Sequence, residues 1–184
     1  MGTATDYDFR TVWRVPGTPH EVAQVLGDPL TLDRWWPAVY LGLHLVEEGT
    51  ESGLGRVVDL YTKGWLPYTL RWTLTVTEPI TETGFALTAR GDLNGSGRWT
   101  FRQDGPETVI TYHWRVSAAK KLLRRLSWLL KPAFAANHRW AMAQGEESLK
   151  LELRRRRAAD DVSRQDIPAP PGPTFRKRRR LRRR

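Results

Sequence analysis

Residues 119–157 read AKKLLRRLSWLLKPAFAANHRWAMAQGEESLKLELRRRR, the one long helical pattern in the chain. Phe134, His138, Ala141, Met142, Gly145, Leu149 and Leu153 recur there at helical spacing and form a single stripe. Arg139, Glu147 and Lys150 face away from it. From Ala133 to Arg157 such a helix is about 37 Å long at the α-helical rise. Pro132 lacks a backbone donor and clashes with the carbonyl one turn back, which predicts a break or kink at that point. A lone helix has nothing of its own on which to bury this stripe, so the preceding residues must supply a surface.

That surface is written in period two. Leu70, Trp72, Leu74 and Val76 alternate with Arg71, Thr73 and Thr75. Trp99 and Phe101 alternate with Arg98, Thr100 and Arg102, and Ile110, Tyr112, Trp114 and Val116 with Thr111, His113 and Arg115. The apolar member of each set is expected to face the long helix. Seven strands are predicted: 9–15, 39–46, 56–62, 68–77, 85–90, 98–102 and 108–116, with Asn94-Gly95-Ser96-Gly97 as a hairpin turn. For 56–62 the inward face is ambiguous, because Val57 and Val58 are both apolar. Two short helices interrupt the first two strands. Thr18, Pro19 and Glu21 make a capping box for one, which ends at Gly27. Asp28-Pro29 starts the other, which Pro37 stops after Trp35-Trp36. The reading is α+β, a curved antiparallel sheet closed by the long C-terminal helix.

This order resembles the helix-grip fold, and the chain is similar to bacterial members of the START-like (SRPBCC) superfamily. That superfamily includes polyketide cyclases/dehydrases, lipid-transfer domains and the birch-pollen-allergen type. The resemblance is carried by VPGTPHEVAQVLGDPLTLDRWWP, GLGRVV, GWLPYTLRWTLTVTE and NHRWAMAQGEESLKLEL, and covers about residues 6–157. It implies a cavity between the concave sheet face and the final helix, holding a hydrophobic or amphipathic small molecule or lipid. It carries no universal catalytic motif, so fold transfers and chemistry does not.

The residues add detail to that expectation. Trp72, Trp99, Phe101, Tyr112 and Trp114 would form the sheet wall of the cavity, and Phe134, His138, Ala141, Met142 and Gly145 the helix wall. Ala141, Met142 and Gly145 are small or pliable where a filled core would favour Leu and Ile. Interdigitation with the large aromatics is the plainer use of any one of them. Trp35 and Trp36 are candidates for the cavity entrance, although two Trp under a helix corner are more often core. His138, alone in an apolar stripe, is usually a hydrogen-bonded core residue. As a functional group it would orient a ligand carbonyl or move a proton, with Tyr112 supplying a hydroxyl to the same space. That is the basis of an alternative enzymatic reading, of the cyclase/dehydrase kind.

Composition limits the remaining classes. The chain has 184 residues, 40% hydrophobic, with nine Trp and five Tyr, enough for one domain with a substantial core. It has no cysteine, hence no disulfide, thiol nucleophile or thiolate metal site. His20, His44 and His113 are scattered, so no metal site is expected; no nucleotide-binding fingerprint occurs and no cofactor is expected. Neither a signal peptide nor a membrane span is legible, and a cytoplasmic protein is expected. In 120–131, Leu122, Leu126 and Leu129 form a stripe opposite Lys120, Arg124 and Lys131. Docking on the sheet edge is its expected use, and contact with an anionic membrane the alternative.

The domain is read as 1–157, followed by a Pro-rich disordered linker over 158–175 and a basic tail over 176–184. The tail, RKRRRLRRR from Arg176 to Arg184, holds eight basic residues of a chain whose net charge is +10. It suits nonspecific contact with nucleic acid or with an anionic membrane.

Overall fold

The computed structural model describes residues 6–118 and 121–174. Seven strands make one antiparallel sheet in the order β1-β7-β6-β5-β4-β3-β2. They are β1 (Asp6–Pro16), β2 (Tyr40–Glu47), β3 (Val57–Lys63), β4 (Thr69–Val76), β5 (Gly84–Gly91), β6 (Leu93–Asp104) and β7 (Glu107–Ala118). Consecutive strands β1 and β2 lie at opposite edges. The chain crosses between them through helix α1 (Pro19–Leu26), a 3₁₀ turn (Pro29–Thr31) and helix α2 (Leu32–Trp35). Helix α3 (Lys121–Arg157) follows the sheet, giving the helix-grip arrangement.

Alternation decides which side of the sheet is dry. Trp99 pairs with Tyr112 and Phe101 with Ile110, all four buried, while Arg98, Thr100 and Arg102 are exposed on the other face. In β3 the ambiguity resolves in favour of Val58, which is fully buried and in phase with the buried Leu60 and Thr62. The α1 capping box forms as its sequence requires. The Glu21 N–H donates to Thr18 Oγ1, and the Glu21 carboxylate accepts from the Thr18 N–H at 2.8 Å.

At three places the structure adds to or departs from the expectations. Of the break or kink expected at Pro132, the break does not occur: helix α3 runs through as one element, since losing a single N–H interrupts one rung of a ladder that continues on both sides. Asn94–Gly97 is not the hairpin turn but the start of β6. The turn sits earlier, at Gly91-Asp92, where Gly91 has φ +126 and the Asn94 side chain bonds back to both Gly91 backbone groups. The glycines inside β6 serve close approach instead. A Cβ on Gly97 would stand 2.6 Å from the Tyr112 hydroxyl and 2.9 Å from the Trp114 ring. Within the segment expected to be a disordered linker, helix α4 (Asp161–Gln165) forms under an Asp160 cap, and Arg155 donates to the Pro168 carbonyl. The side chains of 120–131, which carry the amphipathic stripe, and the tail 176–184 lie outside the described residues.

The C-terminal end of α3 is tied to the β1–α1 corner. Arg157 grips the Glu21 carboxylate with two hydrogen bonds of 2.6 and 2.8 Å and donates to the Pro16 carbonyl. Glu146 meanwhile accepts from the Arg14 N–H, covering part of the β1 edge. The Arg157 guanidinium and then the Thr18 N–H hold the Glu21 carboxyl at about 2, below its usual value. Its stabilisation is therefore complete above about pH 4.5 and is lost as pH falls towards 2. Both side chains are about one-third exposed (39% and 31%), so screening limits the effect to ~1 kcal/mol. Urea denaturation of Glu21→Gln is expected to show that deficit at pH 7 and none near pH 2. An equal deficit at both pH values would contradict this assignment.

Candidate functional site

Between the concave sheet face and residues 134–142 of α3 lies a cavity of about 190 Å³. An apolar cavity of ~150 Å³ already accepts benzene. Its sheet wall is a run of rings. Trp99 stacks on Tyr112 at 3.9 Å and 16°, Tyr112 lies 5.7 Å from Trp114, and Trp114 lies 6.0 Å from Trp72. Phe134, His138, Ala141 and Met142 of α3 face them. Leu26, Pro29, Leu32 and Trp36 close a third side from the α1–α2 corner.

Four of the residues singled out by sequence stand elsewhere. Phe101 shares the inward parity of Trp99 but packs behind the wall, 6.3 Å from Phe85. Two residues along a strand are about 6.8 Å, enough to pass from the hollow into filled core. Gly145 is likewise past the hollow: its missing side chain is what lets the Trp36 ring lie directly against the helix. Trp35 and Trp36 are 0% and 3% exposed, so neither frames an opening; Trp36 is inner wall and Trp35 is core. The half-buried lining residues, including Phe134, Asn137, His138, Tyr68, Leu70 and Leu93, put the mouth at the other end. There the β3–β4 loop docks on the helix, the Leu66 N–H donating to Asn137 Oδ1 at 3.2 Å.

Sequence reasoning missed most of the polar lining: Tyr7, Tyr40, Thr62, Lys63, Tyr68 and Asn137. Parity held the signal for two of them, since Tyr68 is in phase with Leu70 and Trp72, and Tyr7 with Phe9 and Trp13. Asn137 carried one in helical spacing, three residues after Phe134 and four before Ala141, whereas Tyr40, out of phase with Leu43 and Leu45, carried none. Among the described lining residues, Lys63 is the one lysine, and no arginine or carboxylate joins it. Among the described residues no group of three His, Asp or Glu could hold a metal. His20 and His113 sit instead against Glu82 and Asp8 on the exposed surface.

His138 stacks on Phe9 at 4.1 Å and 13°, with Nε2 3.5 Å from Thr11 Oγ1. Burial, and secondarily the Arg139 charge, lower its pKa to about 4, so at neutral pH it is an uncharged imidazole. Burial, then the neighbouring Tyr40, pushes Tyr112 well above the ordinary phenol value. Tyr68 rises to about 12 through burial, then Tyr7. At neutral pH the site thus offers phenol hydroxyls that stay protonated and an imidazole able to accept a proton.

Over residues 7–154 the sequence matches the family described as polyketide cyclase / dehydrase and lipid transport. The chain belongs to that family. No curated protein matches it. Among solved structures, the Zhui aromatase/cyclase from Streptomyces sp. R1128 is similar at TM-score 0.64 and 17% identity, over 84% of this chain and 97% of that one. A protein from Thermus thermophilus gives 0.63 and 14%, over 83% and 100%. The di-domain ARO/CYC StfQ from the steffimycin biosynthetic pathway gives 0.60 and 15%, over 80% and 50%. At these identities the likeness is one of fold. No described helix of this family member is long and apolar enough to cross a membrane.

The depressed His138 pKa has a consequence for stability. An unfolded chain protonates its histidine near 6.5, the folded one near 4, so stability is complete above about pH 6.5 and declines as pH falls to about 4. The change amounts to ~3 kcal/mol. His138→Gln is expected to flatten this part of the stability profile. An imidazole NMR titration that placed the His138 pKa near 6.5 would contradict it.

Proposed function

We propose that this protein binds a hydrophobic or amphipathic small molecule or lipid in the cavity between sheet and closing helix. The observation that carries the reading is the hollow itself, about 190 Å³ walled by Trp72, Trp99, Tyr112 and Trp114 and faced by Ala141 and Met142. Stacked rings supply large apolar area at little entropic cost, and the few polar tips fix orientation. A vacant apolar hollow of this size destabilises the fold, which a ligand would offset.

A second reading, a cyclase/dehydrase-like enzyme, is favoured by the convergence of Tyr7, Tyr40, Tyr68, Tyr112 and His138 on one space. In it the neutral His138 accepts a proton from a bound chain and a protonated tyrosine, Tyr112 first, donates to a developing oxyanion. Binding and catalysis share the cavity and part at turnover.

Native mass spectrometry of protein purified from cells is expected to show co-purifying lipid or metabolite, with occupancy lost in Ala141→Phe, which places a ring in the hollow. Conversion of the bound species on incubation, abolished in His138→Gln but with binding retained, selects the enzyme. A ligand-free mass for the wild-type chain, together with unchanged thermal stability of Ala141→Phe, would reject both.

A further inference from the structure

A second hollow lies on the outer face of the sheet, turned away from the cavity. It is a groove of about 450 Å³ that spans β2 to β5. Strand register sets its side chains in two rows. His44, Asp59, Thr73 and Arg90 pair successively across the four strands, and Gly42, Tyr61 and Arg71 form the next row on the same face. Arg71 and Arg90 thus stand diagonally across β4 and β5, about 7–8 Å apart at the backbone. These two arginines differ from others on this face. Arg14 and Arg102 are ion-paired with Asp104, Arg98 with Glu78, and Arg115 with Asp8. Among the described residues, neither the Arg71 nor the Arg90 guanidinium meets a carboxylate; Arg71 lies instead over the Tyr61 ring at 4.7 Å. That stacking holds the planar fork in place and leaves its N–H donors open. Asp59, the one carboxylate of the groove, accepts from the Thr73 hydroxyl at 2.6 Å through one oxygen, which fixes the direction of the other.

Gly42, on the edge strand β2, gives a separate sign. A Cβ there would meet nothing within 4 Å, whereas at Gly84, Gly91, Gly95 and Gly97 protein atoms already stand within 3.0 Å of that position. Glycine weakens a strand, and it often marks a place where a ligand or another backbone comes close. Four of the five strand glycines make room for a neighbouring strand or side chain, and Gly42 makes room beside Tyr61 that no described residue fills.

We propose that this outer groove is a binding site for a small phosphate monoester bearing hydroxyl groups, of the sugar-phosphate class. The phosphate lies between Arg71 and Arg90, whose forks supply paired, charge-assisted donors. A carboxylate has two oxygens and satisfies one such fork, while the three terminal oxygens of a phosphate monoester can serve both. Asp59 faces the remainder of the ligand from the β3 side. It repels a second anionic group and accepts from a hydroxyl, so the molecule that fits is anionic at one end and a hydrogen-bond donor at the other. The carbon skeleton passes over the open backbone at Gly42. The groove and the cavity lie on opposite faces of the sheet, and neither site requires the other to be filled.

The test titrates ribose 5-phosphate, ribose and inorganic phosphate into the isotope-labelled full chain at constant ionic strength, following backbone amides by NMR. Ribose 5-phosphate is expected to shift the Gly42, Thr73 and Gly91 amides saturably, and to bind about tenfold or more tightly than ribose, the range of hydrogen bonds to a charged group. Arg71→Gln and Arg90→Gln should each weaken it about tenfold, with amides elsewhere in the domain unmoved. Arg98→Gln, which removes an arginine already paired with Glu78, should leave the affinity as it was. Asp59→Asn should narrow the preference for ribose 5-phosphate over inorganic phosphate. Shifts confined to residues 176–184, or a groove response that survives both Arg71→Gln and Arg90→Gln, would overturn the site. Inorganic phosphate binding as tightly as ribose 5-phosphate to the wild-type chain would overturn the ester assignment.

Discussion

In helix α3, Gly145 lies against the buried Trp36 ring, where a Cβ would stand 2.3 Å from it. The contact admits no side chain on the helix and fixes how near the helix can come. Beyond it, Leu149 and Leu153 are fully packed, and Arg157 anchors the last turn to Glu21. Before it, the same element passes over the aromatic wall with only Ala141 and Met142 at mid-span. A helix cannot sag by a few ångströms over two turns without breaking its hydrogen-bond ladder. A stiff rod pinned towards its C-terminal end, with Ala141 over the aromatic wall, leaves a void, and the void is the candidate site.

The walls set the character of that void. Its area is mostly ring and aliphatic surface, which favours apolar ligands, while its polar atoms are the tips of otherwise apolar side chains. Burial favours the neutral form of the lining tyrosines and of His138. It raises Tyr68 and Tyr112 and lowers His138, so these three groups are neutral at pH 7. Family membership fixes the fold; what the cavity takes is decided by these side chains.

Much of this was legible from residue order. Period-two alternation in 70–76, 99–101 and 110–116 gave the inward faces, and the capping box at Thr18–Glu21 gave the start of α1. The helix stripe gave Phe134, His138, Ala141 and Met142. What failed has specific physical causes. Asn94–Gly97 has turn composition, but its glycines are spent on making room for Tyr112 and Trp114 across the strand pair. Pro132 is a helix breaker by local chemistry, yet α3 continues through it. Phe101 and Gly145 have the right parity and the wrong depth. Parity reports which face a residue is on, and only the three-dimensional taper reports where the hollow ends. Asn137 shares the helix face of Phe134 and Ala141 and was legible by spacing, whereas Tyr40 is a cavity residue because other segments bring it there.

The central claim is that space remains under the middle of the closing helix. It is tested most directly by pressurising crystals of the protein with xenon after extraction of any co-purified ligand. The account predicts anomalous density between Ala141 and Met142 on one side and Trp72 and Trp99 on the other. Side chains filling that region, with no xenon peak beneath the helix, would contradict it.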